Sequence, residues 1–444
     1  MKAQGMISIG ILAGLAWIGT AFASAQGGLK AGYARADITP SQPVWMGGYE
    51  LRNAPSDGVW DKIYLRTLVL EVNGTRVAFI VADLGTVGNP DPERKLIAQE
   101  TGIPYENIFI GATHDHSAPS SGTRNAEWTK MYEAAFVPMV KEAIANLRPV
   151  NVATGQGSSR IAMNRRAMAP TDKDSFDSYD ENNRSQSFGE FKTDHPVKFH
   201  EFEGEVRLGA NPLGPIDDAV QLVRLDDENG KPYALMILYP CHGTTLGGRN
   251  SKVSGEWMGH MDSYVESQFP GLHVIYLQGA AGDINPRVVG GLDGNKDDIN
   301  TTYALGEEIG REVVRVYRTL APAPLAPARI QVVTRDILLP LNYRLLAANF
   351  TDPALHVPTT AVRIGDMMWV TFPGEMFSGI GKQVKAACPA TSAYVMGYTN
   401  GYVGYFPTQK AFGEGGYEPS NARMAPNAEH IYLREIADLM KSFQ

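Results

Sequence analysis

Cysteine is nearly absent from this 444-residue chain. Two residues, Cys241 and Cys388, exclude a disulfide framework and leave either one bridge or two buried thiols. Clustered positive charge is absent as well. The formal net charge is −8 and no run of Lys and Arg breaks it, which sets aside a nucleic-acid partner. Beyond the first 25 residues no apolar run is long enough to span a membrane, no repeat recurs, and no linker divides the chain. At 43% hydrophobic and 20% charged residues, the composition is that of a globular protein able to bury a large core.

What is present begins with a targeting pattern. Lys2 gives a positive start, Ile7 to Phe22 an apolar stretch, and Ala23-Ser24-Ala25 a small-x-small end. These predict a signal peptide over residues 1–25, cleaved after Ala25, and a periplasmic or secreted mature protein over 26–444. Strand and helix patterns alternate along that length. Tyr64 to Val72 and Arg76 to Ala82 flank Asn73-Gly74, a strong hairpin signal, and Ala219 to Leu225 with Tyr233 to Tyr239 repeats it. Further strands are expected at Leu29 to Thr39, Val150 to Ser158, His273 to Leu277, Arg329 to Leu339, Asp366 to Phe372 and Tyr394 to Met396. Helical spacing marks Pro90 to Glu100, Trp128 to Leu147, Glu256 to Phe269, Thr301 to Leu320, Met376 to Ala387 and Glu429 to Ser442. The pattern predicts one large α/β domain with mixed or mostly parallel sheets flanked by helices. A polar stretch at about 170–215 reads as a partly ordered flap over the site, and its His195 and His200 as solvated residues.

The chemistry gathers where strands end. Ile108 to Gly111 runs into a loop holding His114 and His116, which point the same way on extended backbone while Asp115 points the other. Two imidazoles beyond the carboxyl end of a strand begin a metal site, or are loop histidines satisfied by carbonyls. His242 closes a second strand in Pro240-Cys241-His242-Gly243, Glu375 a third in Pro373-Gly374-Glu375, and Tyr402, Tyr405 and Tyr417 lie in a glycine- and tyrosine-rich loop. Asp83 ends a neighbouring strand, placed to brace a ligand histidine through its second ring nitrogen. Asp37 reads as structural, holding the turn before Pro40. Asp283 is either a turn cap or a catalytic carboxylate, and Arg165 either an ion-pair partner or a substrate contact.

Taken together, these pieces resemble the N-terminal catalytic domain of the neutral/alkaline non-lysosomal ceramidases. The likeness runs from Gly32-Tyr-Ala-Arg-Ala-Asp-Ile-Thr39 nearly to the C-terminus. Ala112-Thr-His-Asp-His-Ser117 is similar to that family's Ala-Thr-His-Thr-His-Ser, Tyr239-Pro-Cys-His242 to its second histidine strand, and Pro373-Gly-Glu375 to its Pro-x-Glu turn. Thr399-Asn-Gly-Tyr402 through Gly416-Tyr417-Glu418 tracks its tyrosine loop, and Asn164-Arg165 its Asn-Arg pair. The resemblance implies zinc held by His114, His242, Glu375 and Tyr417. It places His116 next to the ligands, facing substrate, and Arg165 on a substrate carbonyl or hydroxyl. Two features depart from the family. Its Gly-(Asn/Asp)-x-Ser-Pro turn is Gly282-Asp283-Ile284-Asn285-Pro286 here, with an amide at the serine position, and its appended immunoglobulin-like domain is missing.

The expectation is therefore an exported zinc-dependent hydrolase that cleaves an amide or ester bond in a lipid-like or other small substrate other than ceramide itself. Zinc lowers the pKa of its water from about 15.7 to near 7, so a metal-activated water needs no serine. His116 or Asp283 would carry the proton, and Arg165 or Asn285 would polarise the carbonyl. Two alternatives are a zinc hydrolase acting on a lactone, carbamate or glycan-linked bond, and a catalytically depleted binding protein of the same fold.

Overall fold

The computed structural model describes residues 28–49, 52–168, 206–290, 299–342 and 354–443. The targeting segment and most of the polar stretch, with His195 and His200, lie outside these residues. Asn73 and Gly74 both adopt positive φ, 51° and 80°, which lets a two-residue turn match the twist of its strands. The strands Tyr64–Val72 and Thr75–Ala82 accordingly pair in register from Val72 opposite Thr75 to Leu65 opposite Ala82.

This hairpin sits in an eight-stranded mixed sheet. Its order is His273–Gln278, Pro232–Tyr239, Ala219–Asp227, Arg148–Ser158, Lys30–Asp37, Tyr64–Val72, Thr75–Ala82 and Ile108–Ala112. The two outermost pairs are parallel and the inner ones antiparallel. The sheet is two four-stranded halves whose shared ladder is short, Lys30 and Ala31 meeting Pro149 and Arg148. About that short seam the halves fold toward each other, so strands at opposite ends of the order become neighbours. Gln278 Nε2 fixes the meeting, donating to the carbonyls of Cys241 (2.7 Å) and Thr113 (2.9 Å).

Each half carries its own helices outside. Leu65 and Val69 pack with Trp128, Tyr132, Phe136 and Val140 of the helix Ala126–Ala145. On the other half, Leu235 and Ile237 pack with Trp257, Met261 and Val265 of Glu256–Gln268 and with Leu305, Ile309 and Val313 of Ile299–Tyr317. Inside, Leu68, Phe79 and Phe109 meet Met236, Leu238 and Leu277, and a second sheet closes over them with Val362, Trp369 and Tyr394. That sheet runs Ile330–Pro340, Ala354–Ile364, Met367–Thr371, Ser392–Met396. Its far face is covered by Ser378–Ala387 and Ala428–Lys441, through Ile380, Val384, Tyr432 and Ile436. The layers are helix, sheet, sheet, helix, as a mixed α/β fold flanked by helices requires. Strands buried on both faces explain why Pro232–Tyr239 reads as an unbroken apolar run despite its antiparallel neighbour Ala219–Asp227.

The end of the polar stretch is not a loop: Val206–Asn211 pairs with Ala162–Met168, which pairs in turn with Ile284–Pro286. Cys241 and Cys388 are free thiols. Among the described residues no helix is long and apolar enough to cross a membrane.

Candidate metal centre

Three strand ends converge at the mouth between the two halves. His114 follows Ile108–Ala112, His242 follows Pro232–Tyr239, and Glu375 follows Met367–Thr371 after the turn at Pro373-Gly374. The two histidine loops are stitched by backbone, His116 N donating to Gly243 O at 2.9 Å and Gly243 N to His114 O at 3.2 Å. The third loop fits because position 282 has no side chain. A Cβ on Gly282 would stand 2.4 Å from the Glu375 carbonyl oxygen.

The histidine tautomers follow from their partners. His114 Nδ1 lies 2.7 Å from the Gly85 carbonyl and His242 Nδ1 lies 2.8 Å from the Ile284 carbonyl. A carbonyl only accepts, so each Nδ1 carries the proton and each Nε2 presents a lone pair. Both Nε2 atoms face one oxygen, Glu375 Oε2, at 3.4 Å from His114 and 3.2 Å from His242. His116 joins them with its Nε2 at 3.1 Å from His114 Nε2, and the ligating atoms of His114, His116 and His242 all lie within 4.8 Å of one another. His116 thus stands beside the histidines that the resemblance names as ligands, with its Nε2 in the same cluster. A glycine makes this possible too: Gly48, at φ 87°, leaves space where a Cβ would come within 2.4 Å of His116 Nδ1.

Burial, together with neighbouring Arg165 and His114, pushes His242 down to about 3, and burial with His114 and His242 pushes His116 well below the usual imidazole range. Burial alone would raise the Glu375 carboxyl, but the two imidazoles beside it hold it well below the usual carboxylate range. An ionised carboxylate is what a divalent cation requires, and a bound cation would take the place of the imidazole protons that otherwise face it. Nitrogen and oxygen donors in this ratio suit zinc, so the residues fit a metal.

Glu375 is held from its other side by tyrosines. Tyr402 OH donates to Oε1 at 2.5 Å, and Tyr398 OH to Oε2 at 3.4 Å, while the Tyr398 ring stacks on His114 with centroids 4.1 Å apart. Glu375–Met376 and Tyr405–Phe406 form a short parallel pair that brings this tyrosine loop alongside. Tyr417 packs edge-on against Tyr405 at 5.4 Å, and burial together with the Glu375 charge pushes its phenol up to about 12. Tyr398 was not foreseen; a tyrosine at positive φ has no signature in sequence.

Arg165 enters from Ala162–Met168. Its Nε donates to Glu418 Oε1 at 2.8 Å, and its Nη1 lies 3.0 Å from His242 Nε2 and 3.3 Å from Asn285 Oδ1. Its Nη2 is buried with no hydrogen-bond partner among the described residues. Asp283 accepts at its carboxylate from Ser378 N (2.7 Å), Ser378 Oγ (3.1 Å) and Asn164 Nδ2 (3.1 Å), tying its turn to the start of Ser378–Ala387 and to Ala162–Met168. Asp83 does not brace a histidine. The Gly85 and Ile284 carbonyls do that, and Asp83 instead accepts from Tyr64 N (2.8 Å) and Arg66 Nη1 (2.7 Å). Asp37 holds its turn as expected, accepting from Thr39 N at 3.0 Å.

Residues 29–308 match the family described as neutral/alkaline non-lysosomal ceramidase, N-terminal. Among solved structures, the chain is similar to the neutral ceramidase from Pseudomonas aeruginosa at 16% identity and a TM-score of 0.72, over 94% of this chain and 74% of that one. It is equally similar to a ceramidase complexed with C2, at 16% identity and a TM-score of 0.72, over 94% of this chain and 75% of that one. No curated protein matches the sequence significantly.

Proposed function

Since the chain belongs to the neutral/alkaline non-lysosomal ceramidase family, we propose that it is an exported, zinc-dependent hydrolase of an amide or related ester bond in a lipid-like or other small substrate. The observation that carries this reading is the convergence of two Nε2 lone pairs on the Glu375 carboxylate, with both Nδ1 protons tied to carbonyls. In it, His114, His242 and Glu375 hold the ion, with Tyr417 completing the set. When bound, zinc supplies an electrophile and a water acidic enough to be deprotonated at neutral pH.

The remaining roles belong to side chains. His116 Nε2 is the nearest titratable nitrogen outside the ligand set, and it holds the proton released during attack. Arg165 cannot donate to the His242 Nε2 lone pair while a cation uses it, so Nη1 and the unpartnered Nη2 turn to the substrate carbonyl. Asn285, sharing Nη1, keeps that guanidinium in place and adds an amide donor where the family has serine. Asp283, whose carboxylate is engaged with Ser378 and Asn164, is left out of the proton transfer.

The test is metal analysis of the purified protein, then hydrolysis of N-acyl and O-acyl chromogenic panels with and without chelator. About one zinc per chain is expected, with turnover lost on chelation and restored by zinc. His114→Ala and Glu375→Ala should lose both metal and turnover. Protein that hydrolyses either panel without zinc, indifferent to chelator, ends the reading. Stoichiometric zinc with no turnover on any N-acyl or O-acyl substrate moves it to a binding role.

A further inference from the structure

Neither histidine loop is held by a helix or a long ladder of its own, yet both are anchored to one buried side chain outside them. Glu256 opens the helix Glu256–Gln268 at φ 55° and is 0% exposed. Its Oε1 accepts from Ser117 Oγ (3.1 Å), directly after His116, and from Leu246 N (3.1 Å). Its Oε2 accepts from Thr245 N (3.0 Å), three residues after His242. The next residue adds a fourth tie, Trp257 Nε1 donating to the His242 carbonyl at 2.8 Å. Asn250 Nδ2 donates to Ser117 Oγ at 3.0 Å, and Ser254 N to Ser117 O at 3.0 Å.

Two features make this arrangement costly. A β-carbon-bearing residue in the left-handed region persists only where its surroundings over-determine it. A buried carboxylate likewise needs every lone pair satisfied. Neither serves the helix, because the Glu256 side chain turns away from the helix axis and into the loops, while its own backbone N–H is capped by Ser254 Oγ at 3.0 Å. The strain and the buried carboxyl sit together at the side-chain joint between the two histidine loops, behind their backbone stitches.

We infer that Glu256 is a positioning residue of the metal centre, fixing the loop after His242 to the loop after His116 so that the imidazoles face one point before an ion arrives. The inference rests on the metal-centre reading and gives Ser117, which closes the His-x-His motif, its function: a rivet to Glu256 and not a ligand. Groups that orient metal ligands from behind cost roughly 10–100-fold in metal affinity when removed.

Zinc affinity, measured by competition with a chromophoric chelator, and the d–d absorption of the cobalt(II)-loaded protein test it on the full chain. Glu256→Gln keeps the volume but turns an amide N–H₂ toward a backbone donor. It should bind zinc roughly 10–100-fold more weakly than the wild type, with a changed cobalt spectrum and an unchanged far-ultraviolet circular dichroism spectrum. Wild-type zinc affinity and an identical cobalt spectrum in folded Glu256→Gln overturn the inference and leave the metal centre standing. Wild-type protein that binds neither metal overturns both. If Glu256→Gln does not fold, the double variant Ser117→Ala, Trp257→Phe deletes one tie from each loop and leaves the carboxylate in place. It should bind zinc roughly tenfold more weakly, and unaltered affinity there overturns the inference too.

Discussion

Burial pushes the Asp283 carboxyl up to about 6, although Ser378 N, Ser378 Oγ and Asn164 Nδ2 all donate to it. The sign of its contribution follows. A carboxyl whose folded pKa lies above its unfolded value near 3.9 stabilises the protein fully below that value, and the contribution is lost as pH rises through about 6. A shift of about two units is worth at most about 3 kcal/mol. Urea midpoints of the wild type should therefore fall between about pH 4 and 6 relative to Asp283→Asn, which does not titrate there. Equal slopes for the two proteins across that range would show that the carboxyl is not perturbed. Both roles of Asp283 were open in the sequence, a cap after two glycines or a proton carrier. Neither reading names the group its carboxylate meets, Ser378, 95 positions away and brought there by the fold. Asp83 shows the same limit: a carboxylate at the right strand end is legible, but the arginine that claims it, Arg66, lies across a hairpin.

Between elements, the decisive joint is the pairing of Ala162–Met168 with the segment that carries Tyr417. Glu418 is buried and accepts from two guanidinium groups at once, Arg165 Nε at 2.8 Å and Arg166 Nη1 at 2.7 Å. Arg166 Nη2 continues to the Gly415 carbonyl at 2.9 Å. Glu418→Gln leaves two buried cations sharing a neutral acceptor. Breaking such a buried pair typically costs about 3–5 kcal/mol, to be read from urea unfolding, and zinc affinity should fall with it because Tyr417 loses its anchor. A loss below about 1 kcal/mol, the range of exposed pairs, would contradict this network. Elements were legible where local chemistry fixes them, as at Asn73-Gly74. They were not legible where a residue type argues against its own context. Ala354–Ile364 contains Pro358, which reads as a break, yet it pairs along its whole length with Ile330–Pro340. The neighbour on its other side pairs only from Ala361 onward, so at Pro358 that edge has no ladder bond to lose.

At the scale of the molecule, the proposed ligand set draws on both halves of the large sheet and on the second sheet. His114 belongs to one half of the large sheet, His242 to the other, and Glu375 to the second sheet. The halves share a ladder of only two residue pairs, so their relative position depends as well on the inner core around Phe79, Leu238 and Trp369, on the ion pairs of Arg35 with Glu266 and Arg66 with Asp262, and on the contacts at the mouth. This is why the two histidine strands could be picked out in the sequence while their meeting could not: nothing in the order of elements says that the first and last strands of a sheet fold back to touch. A cation bound by all three bodies has no site in a state where any one has opened, so its binding energy acts on the cooperative unfolding of the whole. At a free zinc concentration of about 100 times Kd, mass action adds about 2.7 kcal/mol to stability. Metal-free protein titrated with zinc should thus show one thermal transition moving upward, with circular dichroism and tryptophan fluorescence rising together. His242→Ala should not shift with zinc at all. If zinc instead raised one transition and left a second in place, the three bodies would be unfolding separately, and the metal could not be held by residues from all of them.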